Sequence, residues 1–375
     1  MKIAYCYSEI LPSNVARSIQ VVNTCAALAK QVRQVIFYIP AGYCNEKHLF
    51  SFYNIKQPEN LKICFCKKKW GFFSSNQIFN YSLRRAVSDN KPDIMITRHL
   101  KTADALINSH TPLIFEAHEI FSNKKSSALK NRVLENRVFA GSQGVICLTK
   151  GLSNALQNSF SSRACFSIVP SGTKVSTQVR TQPALSGKKL YVTYVGTTRY
   201  RWKGISTLMK AMVLLPEHIS LEIVGDLNQI YKAEKAVLQL TKQKRLKITG
   251  HLPPNKAALH LKKAQVAVIP NSGKDIISRI YTSPLKLLEA MAEGLPVVAS
   301  DLPSIREIVS EDQAVLVTPD DPGALAEGIL KLFQDAGLRT RIAKNAWLRA
   351  KDFSWEKRAG RIIKMAREVL NRASN

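Results

Sequence analysis

The sequence is poor in acids: 27 Asp and Glu stand against 55 Lys and Arg, a formal net charge of +28 over 375 residues. It has no apolar run approaching the ~18–20 residues of a membrane-spanning helix, so any membrane association is expected to be peripheral. It has no C-x-x-C pair, and its seven cysteines, an odd number, all fall in the first half: Cys6, Cys25, Cys44, Cys64, Cys66, Cys147 and Cys165. That pattern argues against a disulfide framework and against a zinc site, and fits a reducing, cytoplasmic setting. The opening MKIAYCYSEI has one Lys and an apolar run broken by Ser8 and Glu9, so it reads as a first strand rather than a secretion signal. Also missing are G-x-x-x-x-G-K-[ST], G-x-G-x-x-G after the first strand, G-x-S-x-G and H-E-x-x-H. No Asp-x-Asp pair is present to hold a divalent cation under a diphosphate, so no metal is expected.

What is there is an apolar content of 45%, typical of a globular chain, at a length that suggests two domains. Residues 1–180 carry 24 basic against 9 acidic side chains and the remainder 31 against 18, so both halves are basic. A field of that sign favours polyanions: nucleotides, acidic lipid headgroups or nucleic acid. Nucleic acid is disfavoured because no recognisable binding module is present.

Short apolar runs alternate with helical patterns. Expected strands in the first half are Ile3–Tyr7, Val35–Ile39, Ile94–Thr97, Leu113–Glu116, Val145–Leu148 and Phe166–Val169, with a helix over Val15–Lys30. From Ser171 to Lys189 periodicity fades and Ser, Thr, Gln, Pro183 and Gly187 accumulate, which reads as a connector. The second half repeats the rhythm, with strands Leu190–Val195, Ser220–Val224, Leu246–Thr249, Val266–Ile269, Pro296–Ala299 and Ala314–Val317. Its helices are expected near Gly204–Leu215, Ala233–Gln243, Lys256–Lys263, Pro284–Glu293, Pro322–Gln334 and Arg339–Arg349. A last helix from Ser354 carries Trp355, Ala359, Ile362, Ala366 and Val369 at helical spacing. The expected fold class is α/β: two Rossmann-like doubly wound domains facing a central cleft, with the ligand at the carboxyl ends of the strands.

Two stretches carry most of the chemistry. In Ser283–Asp301, Ser283 is expected to cap a helix with Pro284 at its first position, Leu285, Leu288 and Met291/Ala292 forming an apolar stripe that Glu289 leaves. Gly294 stops the helix and a buried strand follows. A helix start at the edge of a parallel sheet offers free N–H groups and a positive dipole end to an anion, and a carboxylate one turn deeper can accept from a ribose. The competing reading is an ordinary amphipathic helix with a surface Glu. In Tyr194–Gly204 a strand ends at Gly196 and Thr197, and Arg199 and Lys203 project cations before a helix opens. Charge-assisted hydrogen bonds of about 1.5–3 kcal/mol each would hold a diphosphate there; a solvated basic loop is the alternative.

Gly225-Asp226 and Gly250-His251 end two further strands at the same edge, where backbone groups and His251 could line a base pocket. His118, in Glu116-Ala117-His118-Glu119, closes a strand of the first domain and is either a sugar-hydroxyl contact or a locally bonded structural histidine. The run Cys66–Phe73 mixes Lys67, Lys68 and Lys69 with Trp70 and other aromatics, and reads as an acidic-membrane contact or as a solvated loop.

Jointly, Ile168-Val169-Pro170-Ser171-Gly172, the Gly196…Arg199…Lys203-Gly204 signature, Ile223–Asp226 and Glu289–Asp301 resemble the retaining GT-B glycosyltransferases of family 4, the glycosyl transferases group 1. The resemblance covers roughly 165–320 and implies an acceptor-side domain over 1–175, a nucleotide-sugar domain over 185–353, and a terminal helix, 354–375, crossing back onto the first. It implies Arg199 and Lys203 as phosphate contacts, Glu289 on the donor ribose and His118 at the donor sugar. In place of the first Glu of the family's E-x7-E pattern stands Tyr281, in a subset with S-P-x-K-L, where Lys286 becomes a further phosphate contact. The usual glycine pair of the first loop is replaced by Glu9–Asn14, with Ser13 and Asn14 on the acceptor side.

The expectation is therefore metal-free transfer, with no cofactor, of a sugar from a nucleotide diphosphate sugar to a hydroxyl. The acceptor is expected to be a glycan or lipid-linked molecule of envelope polysaccharide, lipopolysaccharide or glycolipid synthesis, met in the cytoplasm at the inner face of the cytoplasmic membrane. Alternatives are a nucleotide-sugar-binding protein with impaired catalysis and a nucleotide-sugar epimerase.

Overall fold

The computed structural model describes residues 1–70, 73–123, 128–180 and 190–374. The chain divides into two compact units, Met1–Pro170 together with Trp355–Asn375, and Ser171–Ser354. The expected connector lies partly outside the described residues, as do Gly71, Phe72 and the Trp70 side chain.

The strands of the first unit are β1 (Lys2–Cys6), β2 (Gln34–Pro40), β3 (Leu61–Cys66), β4 (Lys69–Trp70), β5 (Phe73–Ser74), β6 (Ile94–Thr97), β7 (Leu113–Ala117), β8 (Gly144–Cys147) and β9 (Cys165–Ile168). Seven of them form one parallel sheet in the order β3-β2-β1-β6-β7-β8-β9. Ile3 lies opposite Val35 on one side and Ile94 on the other, so the chain starts at the centre, steps outward and returns across β1. The central strands are buried on both faces, which is why they read as unbroken apolar runs. Strand β3 escaped the sequence pattern because it is an edge: Lys62 and Phe65 are exposed while Leu61 and Cys66 are buried. Thr149 caps the Lys150–Ser159 helix by accepting from the Leu152 N–H at 3.0 Å. The last helix, Trp355–Ser374, packs on the Ala16–Ala29 helix and buries Ala359, Ile362, Ala366 and Val369.

The second unit has β10 (Leu190–Val195), β11 (Ile219–Val224), β12 (Leu246–Ile248), β13 (Val266–Ile269), β14 (Val297–Ser300) and β15 (Val315–Val317), all parallel in the order β12-β11-β10-β13-β14-β15. The winding reverses between β10 and β13, the switch point at which such sheets bind ligands. One face of the sheet packs Val192, Tyr194 and Ile223 against the Ile205–Leu214 and Pro322–Gln334 helices. The other packs Ala267 and Val297 against Leu287, Leu288 and Met291.

The helix expected over Ala233–Gln243 is observed as Lys235–Lys242, and a short unanticipated helix, Gln229–Lys232, precedes it, opened by Asn228, which accepts from the Ile230 N–H at 3.1 Å. Two local expectations are corrected. The Lys67–Phe73 loop is a short hairpin of β4 and β5. Within it Lys68 is not free for a membrane: its Nζ donates to the Ser8 carbonyl at 2.5 Å, and burial lowers its pKa. Lys67 and Lys69 stay exposed, with Lys69 Nζ 4.9 Å over the Tyr43 ring.

Candidate functional site

In the second unit the candidate residues gather on the loops that follow β10, β11 and β13. Strand β10 ends at Gly196, whose N–H bonds the Val224 carbonyl, and a single 3-10 turn, Arg201–Lys203, delivers Gly204. Gly204 has φ 69°, and a Cβ there would lie 1.6 Å from the Pro270 carbonyl oxygen, so no other residue fits. Gly225 is also tightly packed, a Cβ falling 2.4 Å from the Gly196 carbonyl oxygen. Thr198 ties the same two loops by donating to the Asp226 carbonyl at 2.7 Å and accepting from Asn228 N–H at 2.8 Å. Thr197 is exposed, its hydroxyl accepting from the Arg199 N–H at 3.2 Å.

Two lysines stand out. Lys203 lies with its Nζ 3.8 Å over the Trp202 ring, and burial takes its pKa down to about 7. Lys286 is 9% exposed, donates to the Tyr194 hydroxyl at 3.1 Å and sits 4.4 Å over that ring. Burial, then the charge of Lys203, pushes the Lys286 ammonium well below its usual pKa. Among the described residues neither makes an ion pair with a carboxylate. Holding cations away from water without a counter-charge is costly. Tyr194 passes the contact on, its hydroxyl donating to the Thr197 carbonyl at 2.9 Å. Arg199 is exposed beside this loop.

The helix that supplies Lys286 runs Leu285–Ala292 and differs from its sequence reading in two ways. Ser283 does not cap it: Pro284 is the N-cap, and the Ser283 hydroxyl accepts from Ser171 N–H at 3.0 Å while its carbonyl accepts from the Ser171 hydroxyl at 2.9 Å. The serine is consumed by anchoring Ser171, which leaves the first helical N–H groups without a side-chain cap. The helix is also buried around most of its circumference, Lys286, Leu287 and Ala290 included, with Leu285 only half-buried, so a single stripe does not describe it. Glu289 is half-buried, not a surface residue; burial, then Glu293, raises its carboxyl to about 7. Tyr281 is 2% exposed in a π-helical turn, Ile277–Tyr281, just before this helix. His251, after Gly250, is exposed and pairs through Nε2 with Asp226 at 2.7 Å.

In the first unit His118 follows β7, and its Nε2 is 2.9 Å from Glu116 Oε1. Burial, then the charge of Arg98, takes the His118 pKa down to about 4. Glu116 is fully buried and receives Arg358 Nη2 at 2.8 Å, Gln20 Nε2 at 2.8 Å and Tyr5 Oη at 2.9 Å. Burial alone would raise its carboxyl, but Arg358 and His118 pull it well below the usual range. Ser13 is pinned, its N–H donating to Tyr53 Oη and its carbonyl accepting from it, both at 2.8 Å, while Asn14 is exposed.

Sequence reading missed Tyr194 and Arg358. A tyrosine within the apolar run Leu190–Val195 was a faint signal for the first; an arginine on the core face of the last helix, one residue before Ala359, was one for the second. Among the described residues no group of three His, Cys, Asp or Glu side chains could hold a metal ion, and no helix is long and apolar enough to cross a membrane.

The two parallel sheets with helices on both faces define the fold class, the Rossmann-like pair of the GT-B glycosyltransferases. Within the second unit, residues 175–349 match the family described as glycosyl transferases group 1. The O-antigen chain mannosyltransferase B of Escherichia coli is 30% identical over 171 residues, 44% of this chain and 42% of that protein. The chain spans about half the length of the curated relatives it matches. Among solved structures, sucrose-phosphate synthase from Thermosynechococcus elongatus aligns with a TM-score of 0.78 at 19% identity, covering 99% of both chains. Anabaena Alr3699/HepE in complex with UDP-glucose aligns at 0.70 and 17% identity, covering 100% of this chain and 99% of that one. At such identities these structures establish the fold alone.

Proposed function

We propose that the protein is a metal-independent glycosyltransferase that moves a sugar from a nucleotide diphosphate sugar to a hydroxyl with retention of anomeric configuration, in the S-P-x-K-L branch of family 4. The observation that carries this reading is a pair of neighbouring lysines, half-buried Lys203 and buried Lys286, unopposed by any described carboxylate at the switch point of the second sheet. As the bond from the anomeric carbon to the diphosphate breaks, negative charge grows on the leaving oxygen. Lys203, Lys286, exposed Arg199 and the uncapped start of the Leu285–Ala292 helix are the groups that offset it. Gly196 and Thr197 let the diphosphate approach the backbone, and Gly225, Gly250 and His251 border the nucleoside. Glu289, a carboxyl poised near neutrality, both donates to and accepts from ribose hydroxyls. Buried Tyr281 fills, without a charge, the place of the missing first Glu, while Ser283 and Pro284 set the angle of the helix. His118 contacts the transferred sugar, and Ser13 and Asn14 belong to the acceptor side.

Uridine is the favoured base, because a similarly folded chain binds UDP-glucose. The similarity to an O-antigen mannosyltransferase and the strong basic charge favour an envelope glycan or lipid-linked acceptor. Thermal-shift titration with UDP, GDP, ADP and their sugars tests the donor, followed by NMR of the product anomer with an acceptor panel. Stabilisation by one nucleotide is expected; no response to any removes the proposal. Binding without turnover would leave the nucleotide-sugar-binding alternative, which the replacement of a Glu by Tyr281 favours. Flotation with acidic liposomes, before and after K67A/K69A, tests the membrane contact; equal binding removes it.

A further inference from the structure

Glu116 and Arg358 form a fully buried ion pair whose geometry exceeds what holding a helix requires. Arg358 spends three of its guanidinium contacts on structure: Nε donates to Thr24 Oγ1 at 3.0 Å, and Nη1 to the Val169 and Pro170 carbonyls at 2.8 and 2.7 Å. Its remaining contact, Nη2, fixes Glu116 Oε1, the same oxygen that receives His118 Nε2. Gln20 also reaches this oxygen, at 2.8 Å, and Tyr5 holds the other one. The carboxylate is therefore immobile and acceptor-only. A hydrogen on His118 Nε2 is the one way to complete the contact, which leaves Nδ1 with the lone pair. Among the described residues nothing is bonded to Nδ1.

We propose that Glu116, clamped by Arg358 of the last helix, is a positioning residue that locks His118 as the Nε2–H tautomer and turns Nδ1 into a hydrogen-bond acceptor for a hydroxyl of the donor sugar. This rests on the reading of His118 as a donor-sugar contact. It specifies the chemistry of that contact: the histidine receives a proton-sharing bond from a neutral hydroxyl, and neither offers a positive charge nor donates. The low pKa of His118 agrees, since the ring stays neutral throughout the working range. The terminal helix thereby reaches the reaction through one guanidinium.

Nitrogen-15 NMR of the histidine side chains in the full-length chain is the direct test, with H118N assigning the resonance among the seven histidines. The native protein is expected to show the proton on Nε2; a proton on Nδ1 overturns the proposal. Two paired variants keep the buried charge balanced. E116L/R358M removes the acceptor and is expected to scramble the tautomer and cut turnover of the sugar nucleotide chosen by thermal shift about 30-fold, with UDP affinity unchanged. E116Q/R358M restores a carbonyl acceptor and is expected to recover turnover to within about 5-fold of native. Equal turnover in the two overturns the positioning role. H118A separates the layers: if it turns over like the native chain, the reading of His118 as a sugar contact falls, while the spectrum still decides whether Glu116 sets the tautomer.

Discussion

Two clusters, one in each unit, treat charge in opposite ways. In the first, the opposite charges meet: Arg358 reaches Glu116, two carbonyls and a hydroxyl. In the second, Lys203 and Lys286 crowd together with aromatic rings and a phenol for company and no described carboxylate. Saturated charge holds structure and orients a neighbour, whereas unsaturated charge of one sign waits for a ligand.

The contrast breaks most visibly at Arg358. Arg358→Ala leaves a carboxylate buried without its partner, and is expected to lower the stability of the first unit by about 3–5 kcal/mol in chemical denaturation. UDP affinity should hold, and a loss of both together would mean the units are not energetically separate. Lys203→Ala should do the reverse. It is expected to slow transfer roughly 100- to 1000-fold, as for loss of one donor to a developing anion, while raising the melting temperature of the nucleotide-free protein. A lower melting temperature would show that the lysine is structural. Lys286→Met is expected to weaken UDP about 10- to 100-fold by calorimetry, the share of one charge-assisted bond, and likewise to stabilise the free protein.

A smaller effect follows pH. The folded pKa of Lys203, about 7, lies below the ~10.4 of an unfolded lysine, so between those values the unfolded chain holds the extra proton. Stability of the free protein therefore rises as pH climbs from about 7 towards 10. UDP prefers the charged ammonium, so its affinity should fall a few-fold from pH 7 to 9, with proton uptake on binding in calorimetry. Glu289, raised to about 7, gives the opposite stability slope, a loss as pH rises from about 4.5 to 7. An affinity that is flat from pH 7 to 9, or unchanged in slope by Lys203→Met, would detach Lys203 from the phosphates.

Much of the fold was legible because buried parallel strands announce themselves as apolar runs between helices, and twelve strands of the two sheets were anticipated to within one or two residues of their termini. Strand β3 was not, since an edge strand mixes exposed Lys62 and Phe65 with buried neighbours. Gly204 was legible as a helix opening, but the reason only glycine fits, the Pro270 carbonyl, comes from a residue 66 positions on. Ser283 looked like a cap because cap residues are recognised locally, and it lost that role to a partner at Ser171. The Glu116–Arg358 pair spans 242 residues, and nothing in either neighbourhood points to the other.

That span has a consequence for synthesis. A ribosome delivers the whole of Ser171–Ser354 before it delivers Arg358, so the second unit can close while Glu116 still lacks its guanidinium. The first unit, begun earliest, is finished last. Until its final helix emerges, its central carboxylate has no guanidinium partner, and a chain that stops between residues 354 and 358 has one complete half and one that cannot seal its core.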